Sequence, residues 1–278
     1  MYITINMLQK EKLILELKER SKKFRREIIE MIYKAGSGHP GGSLSAIDLI
    51  NTIYYYKFNI NPKDPRWEDR DRFILSKGHC CPALYVVLTD KGFFPKEELS
   101  YFRKINHLLE GHSNSNIPGV EMSSGSLGQG LSFANGIAFS KRIDKKRFRI
   151  YVMIGDGEVQ EGEIWESAMT SNHYKLDVKV ILDKNGVQND WYVKETKTID
   201  PIEDKWNAFG WETIRINGHD FEQIISAIDN AEKINNKPVI IIADTVKGKG
   251  VSFMENNPDF HGKAPNEDEY KKAMEELK

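Results

Sequence analysis

Two oxygen-bearing side chains stand at positions where they could hold a metal. Asp156 sits in Gly155-Asp156-Gly157 and Asn185 in Asp183-Lys184-Asn185-Gly186, 29 positions apart. Aspartate and asparagine oxygens are hard donors suited to Mg²⁺ or Ca²⁺. Magnesium keeps few protein ligands and takes the rest from waters and substrate phosphates. The pair therefore suggests a metal-bridged phosphate or diphosphate, with Gly155 and Gly157 clearing space for it. The plainer reading is a Gly-Asp-Gly turn in which Asp156 caps a helix. Two residues alone do not decide between them.

A second set of candidates is histidine. Of seven in the chain, five (His39, His79, His112, His219 and His261) sit directly beside a glycine, which places them in loops rather than helices. Histidine is the side chain that titrates near neutral pH, so several on loops around one site suit repeated proton transfers. A lone histidine beside a glycine is more often a satisfied loop residue, and His219 is read that way.

The elements around these residues follow from hydrophobic periodicity. Arg149-Ile150-Tyr151-Val152-Met153-Ile154 and Val178-Lys179-Val180-Ile181-Leu182 are short apolar runs that read as buried strands, each ending in one of the glycine-punctuated turns. Arg72–Leu75, Glu212–Ile216 and Val239–Ala243 read as further strands. Helices are expected over Met7–Ala35, Ser43–Lys57, Pro82–Asp90, Lys96–Tyr101, Leu131–Lys141, from Ile164, over Pro201–Phe209, over Phe221–Ile234 with Asp220 as N-cap, and over Asn266–Lys278. Asn106–Ser124 and Asp190–Ile199 read as irregular. Strands alternating with helices predict an α/β fold with a doubly wound, mostly parallel sheet and helices on both faces. With no linker or repeat in view, residues 1–278 are expected to form a single domain. In such sheets ligands bind outside the carboxyl ends of the strands, where both turns lie.

Gly36-Ser37-Gly38-His39-Pro40-Gly41 contains a formal G-x-G-x-x-G, but it follows a helix rather than a strand. The dinucleotide reading fails that context test, and the segment reads as a loop that lets backbone approach a ligand. Lys22, Lys23, Arg25 and Arg26 read as a solvated helix face. Net charge of −1 argues against nucleic acid or an anionic membrane as main partner. Cys80 and Cys81 are adjacent, so they make neither a disulfide framework nor a useful ligand pair. They read as small buried residues opening a helix, in a reducing, cytoplasmic setting. The N-terminus lacks the basic-then-apolar order of a signal peptide, and no apolar run approaches the ~20 residues of a membrane span.

Taken together, the motifs resemble the thiamine diphosphate enzymes, whose fingerprint opens on Gly-Asp-Gly and closes on an Asn just under 30 residues later. More narrowly the chain is similar to the N-terminal, diphosphate-binding part of transketolase (the PP-type domain). The matching stretches occur in the family's order: Gly38-His39-Pro40-Gly41, Ser76-Lys77-Gly78-His79, Gly111-His112, Gly125-Ser126-Leu127-Gly128-Gln129-Gly130, Gly155-Asp156-Gly157 with Glu161-Gly162, Asp183-Lys184-Asn185-Gly186, Lys247-Gly248-Lys249-Gly250-Val251 and His261-Gly262.

The resemblance implies roles. Asp156, the Asn185 side chain and the Val187 carbonyl would hold a divalent metal, Mg²⁺ or Ca²⁺. Gly155, Asp156, Gly157, Asn185 and His79 would meet the diphosphate end of thiamine diphosphate, and Gly125 and Leu127 would lie along its rings. His39, His112 and His261 would be the catalytic, substrate-facing histidines. Arg103, nine residues before His112, would meet a substrate phosphate, with His39 and His261 also binding substrate. Glu161 and Glu166 would stand at an interface between subunits.

The chain departs from the family pattern at Ser113-Asn114, at Val187-Gln188-Asn189-Asp190 and at Phe260, positions that bear on substrate specificity. The family's pyrimidine and C-terminal domains, which carry the glutamate that protonates the cofactor's aminopyrimidine, are expected on a separate chain. The resemblance thus implies one subunit of a split transketolase, active only with a separate partner chain in a heterotetramer of two plus two, and transferring a two-carbon ketol unit between sugar phosphates. Two alternatives remain: half of a pyruvate-using thiamine diphosphate enzyme, and a non-catalytic regulatory homologue.

Overall fold

The computed structural model describes residues 7–189 and 191–278. Among the described residues five strands form one parallel sheet: β1 (Arg72–Leu75), β2 (Ile150–Gly155), β3 (Lys179–Lys184), β4 (Glu212–Asn217) and β5 (Val239–Asp244). Their spatial order is β1-β2-β3-β5-β4, every neighbouring pair parallel. The expected α/β architecture is therefore observed. β1, β2, β3 and β5 are near-continuous apolar runs because both faces of the sheet are covered.

Side chains alternate between those faces. Tyr151, Met153, Ile181 and Ile241 join one core with α1 (Met7–Ala35), α2 (Pro40–Thr52), α3 (Cys81–Lys91) and α8 (Phe221–Lys233). Ile150, Val152, Ile154, Val180, Leu182 and Ile240 join the other, with α4 (Gln129–Ile143), α5 (Gly162–His173) and α7 (Ile202–Ala208). Each fully buried aliphatic side chain contributes about 1.5–3 kcal/mol. A one-turn helix, α6 (Val193–Thr196), and the C-terminal α9 (Glu267–Glu276) complete the set.

Several boundaries refine the expectations. The helix expected from Ser43 starts earlier, at Pro40, whose fixed φ suits a first turn, and continues past Thr52 as a π-turn to Lys57. Lys96–Tyr101 is a 3₁₀ turn rather than an α-helix. Pro201 is the N-cap of α7 and not its first residue. The segment 191–199, expected to be irregular, contains α6. Asp220 caps α8 as expected, accepting from the amides of Glu222 and Gln223, and Asn266 opens α9 with a full capping box.

The basic cluster on α1 is corrected. Arg25 is buried and ion-paired to Asp48 at 2.7 Å, and Arg26 donates to the carbonyls of Met274 and Leu277 at the end of α9, so these two are packing residues. A guanidinium is the cation that can satisfy several such acceptors at once, which is why Arg25 and Arg26 turn inward while Lys22 stays exposed. Cys80 and Cys81 are buried, unpaired thiols at the start of α3, as expected. Among the described residues no helix is long and apolar enough to cross a membrane.

Candidate active site

The register of β2 against β3 brings the two motifs together. Gly155 pairs with Asp183, so the chain leaves both strands at the same level and Asp156 and Asn185 follow immediately. Asp156 Oδ1 accepts the amide of Gly157 at 3.0 Å and Oδ2 accepts that of Gly186 at 2.6 Å. Asp156 therefore ties the two strand ends rather than capping α5, whose N-cap is Glu161. Asn185 Oδ1 accepts from the Val187 amide at 3.1 Å, and its Nδ2 faces Asp183 and Ser45.

Asp156 is only 2% exposed. Burial, and then the neighbouring Asp183 charge, push its carboxyl up to about 6. It has backbone amides for partners and, among the described residues, no direct ion pair. The carboxylate, the Asn185 oxygen and the Val187 carbonyl form a hard, oxygen-only donor set on an under-compensated negative charge, which fits a divalent cation. Among the described residues no group of three or more His, Cys, Asp and Glu could hold a metal. A site with one carboxylate fits a magnesium ion that takes further ligands from phosphate.

A cleft of about 380 Å³ opens over these residues at the carboxyl ends of β1, β2 and β3. His39, His79, His112 and His261, from four separate segments of the chain, all line it, His79 from a 3₁₀ turn. The His39 ring lies 5.1 Å from His79, 5.5 Å from His261 and 6.0 Å from His112, centroid to centroid. Gly125, Leu127, Gly155, Gly157, Val187 and Glu161 line the same cleft. Gly157 lacks a side chain for a further reason: a Cβ there would come 2.8 Å from Gln188 Cβ, so the glycine admits the loop after β3 as well as any ligand.

Two expected residues stand apart. Arg103 lies beside the cleft, its Nη2 3.5 Å from His39 Nδ1 and 3.4 Å from the Gly111 carbonyl, with Nε buried and without a hydrogen-bond partner. Glu166 does not line the cleft; it is exposed on α5.

A larger cleft of about 710 Å³ lies between Lys63 and Glu121, but it holds neither these histidines nor the strand-end donors.

The electrostatics keep the imidazoles neutral. Burial, then the Arg103, His112 and Lys247 charges, lower His39 to about 4. Burial and then Lys247 lower His261 to about 3. His112 is lowered by burial and Arg103, and His79 lies well below its ordinary value through burial and then Lys77.

Two lysines were not singled out from the sequence. Lys247 Nζ donates to the Val187 carbonyl at 2.9 Å and meets His261 Nδ1 at 2.6 Å. An ammonium only donates, so His261 Nδ1 is the acceptor and its proton sits on Nε2. Burial lowers Lys247 to about 8. Lys77 is 2% exposed and pairs with the fully buried Asp183, which also accepts from Ser45 Oγ at 2.6 Å and from Thr245. Burial disfavours the Lys77 charge, but Asp183, Cys80 and Asp156 together more than offset it and raise the pKa.

Glu158, also missed, accepts from Ser76, from the Gly128 amide at 2.8 Å and from the Gly155 amide at 3.0 Å, joining three walls of the cleft. All three missed residues lie inside or beside motifs already noticed. Each follows the carboxyl end of a strand by two or three residues, and a charged side chain at that place is the signal that could have found them.

Comparison with known proteins agrees with this geometry. The family described as transketolase, thiamine diphosphate binding domain, matches residues 18–278. The chain is 39% identical to an apulose-4-phosphate transketolase subunit of Phocaeicola vulgatus, over 94% of this chain and 93% of that protein. It is 40% identical to 6-deoxy-6-sulfo-D-fructose transketolase subunit SqwG of Clostridium sp. strain MSTE9, over 95% and 96%. It is 38% identical to the transketolase of Mus musculus over 89% of this chain but 40% of that one. The solved transketolase of Campylobacter jejuni superposes with a TM-score of 0.90 at 33% identity, over 94% of this chain and 42% of that chain. The chain thus spans about two fifths of these longer transketolases.

Proposed function

The chain belongs to the transketolase thiamine diphosphate-binding family, and from that membership we propose that it is the diphosphate-binding subunit of a two-chain transketolase. In this reading it moves a two-carbon ketol unit from a ketose phosphate to an aldose or aldose phosphate, using thiamine diphosphate and Mg²⁺. The observation that carries it is the convergence of four neutral imidazoles on the Asp156–Asn185–Val187 donor set in one cleft.

The residues divide the work by chemistry. The Asp156 carboxylate, the Asn185 side-chain oxygen and the Val187 carbonyl hold the cation. His79 and the Gly157 backbone bind the diphosphate, and Gly125 and Leu127 flank the rings. Thiamine diphosphate, when bound, supplies a ring that stabilises carbanion character on the transferred unit. His39, His112 and His261 are held neutral at pH 7, so each carries one donor and one acceptor nitrogen. Because Lys247 occupies His261 Nδ1, the Nε2–H is the side that donates toward the substrate. Such positioned groups typically contribute ~10²–10⁴-fold. Arg103, whose Nη2 stands beside His39, is the candidate for the substrate phosphate.

The names of its near full-length relatives support a separate partner chain, and the exposed Glu161 and Glu166 suit the interface with it. We place residues 1–278 as one diphosphate-binding domain in a heterotetramer, and the unpaired buried thiols of Cys80 and Cys81 support a reducing cytoplasm. The test is reconstitution. The chain, its candidate partner, thiamine diphosphate and Mg²⁺ should together transfer ketol units between sugar phosphates; turnover of pyruvate by the same mixture instead would overturn the substrate class.

A further inference from the structure

His219 reads from sequence as a satisfied loop histidine, but its partners give it a second consequence. His219 lies in the turn after β4 and is half-buried. Its Nε2 accepts the backbone N–H of Val246 at 2.9 Å. That acceptor role fixes the tautomer: Nδ1 carries the proton and donates to Asp48 Oδ2 at 2.8 Å. Asp48, 3% exposed on α2, is in turn held by Arg25 at 2.7 Å. Arg25 reaches across as well, its Nε donating to the Lys249 carbonyl at 3.0 Å. Gly248 N–H donates to the Gly41 carbonyl at 2.9 Å. The residues on either side of Lys247 are therefore anchored from below, one of them through an imidazole, and Lys247 alone points into the cleft.

We infer that His219, braced by Asp48 and Arg25, is a positioning residue that sets Lys247 against the Val187 carbonyl and His261. The buried ion pair behind it explains the geometry. Arg25 and Asp48 belong to two helices of the same core layer, so the imidazole takes its orientation from packed elements and passes it to an otherwise irregular loop. A bland loop histidine requires no such chain: one solvent-facing hydrogen bond would satisfy it. The consequence for the cofactor rests on the reading of the cleft given above, whereas the consequence for the loop does not.

The two arms of the test separate these. His219→Asn keeps a short amide that reaches Asp48 but cannot span to Val246; His219→Gln places its amide oxygen where Nε2 stands. Hydrogen exchange of the full chain without cofactor should show residues 245–251 opening about tenfold faster in His219→Asn, β5 unchanged, and His219→Gln within about threefold of the native chain. Mg²⁺–thiamine diphosphate binding by calorimetry should weaken about tenfold in His219→Asn and recover in His219→Gln, the size usual for a residue that orients a ligand-binding group. Native exchange at 245–251 in His219→Asn overturns the inference. So does equal loosening in both variants, or a loss of protection that spreads to β5 and makes His219 a folding residue. If the native chain mixed with its candidate partner binds no cofactor, the proposed function fails, and the exchange arm still decides the role of His219.

Discussion

Asp156 Oδ2 accepts the Gly186 amide at 2.6 Å, so one carboxylate both bridges the ends of β2 and β3 and carries a buried negative charge. Those two duties conflict energetically. Taking the carboxyl from its ordinary 3.8 to about 6 costs roughly 3 kcal/mol for the ionised form, at ~1.4 kcal/mol per unit of pKa. A folded pKa above the unfolded one gives stability that is present at low pH and is lost as pH rises from about 4 to about 6. Asp156→Asn, which keeps an acceptor for Gly186 and removes the charge, should therefore stabilise the cofactor-free chain at pH 7 by up to about 3 kcal/mol, and by much less at pH 4. Urea titrations of both chains at the two pH values check this. The same variant should bind Mg²⁺–thiamine diphosphate at least ~10²-fold more weakly.

Lys77 and Asp183 form a fully buried ion pair under the cleft. Removing one partner of such a pair typically costs 3–5 kcal/mol, because the other charge is left uncompensated. Lys77→Met should lose about that much in chemical denaturation, and adding Asp183→Asn should recover most of it. If the double variant is as unstable as the single one, the cost lies in packing rather than charge.

His261 and His39 meet edge to face in the cleft, with ring centroids 5.5 Å apart. His261→Ala should lower kcat/KM for ketol transfer about 10²–10⁴-fold in the reconstituted enzyme, with cofactor affinity changed less than about fivefold. His79→Ala should do the reverse, weakening cofactor binding first. Calorimetry beside steady-state kinetics separates the two.

Arg103 has a buried Nε without a partner. Arg103→Leu should raise KM for a phosphorylated substrate about tenfold or more, since a charge-assisted hydrogen bond is lost, and should leave a substrate without phosphate little affected. Equal losses on both substrates would remove Arg103 from phosphate recognition.

Much of this site is legible in the sequence, because strand-end turns and glycine-flanked histidines are local signals. The alternation of Ile150, Val152 and Ile154 against Tyr151 and Met153 has a simple reading once both faces of β2 are covered. The Gly155–Asp183 register then places Asp156 beside Asn185 with no further information. What escapes is long-range. Nothing local to Lys77 says that Asp183 neutralises it, 106 positions away. Nor does the α1 pattern say that Arg25 turns inward to Asp48, since periodicity marks apolar positions and a buried guanidinium breaks it. His219 has a glycine beside it like the site histidines, and only tertiary contacts separate its role from theirs.

The most direct measurement is ketol transfer by the chain alone, by its candidate partner alone, and by the two mixed with thiamine diphosphate and Mg²⁺. Activity is expected only in the mixture, and it should vanish when the mixture carries Asp156→Ala. A mixture that stays inactive toward sugar phosphates while its subunits assemble and bind the cofactor, or one that keeps its activity with Asp156→Ala, would contradict the assignment.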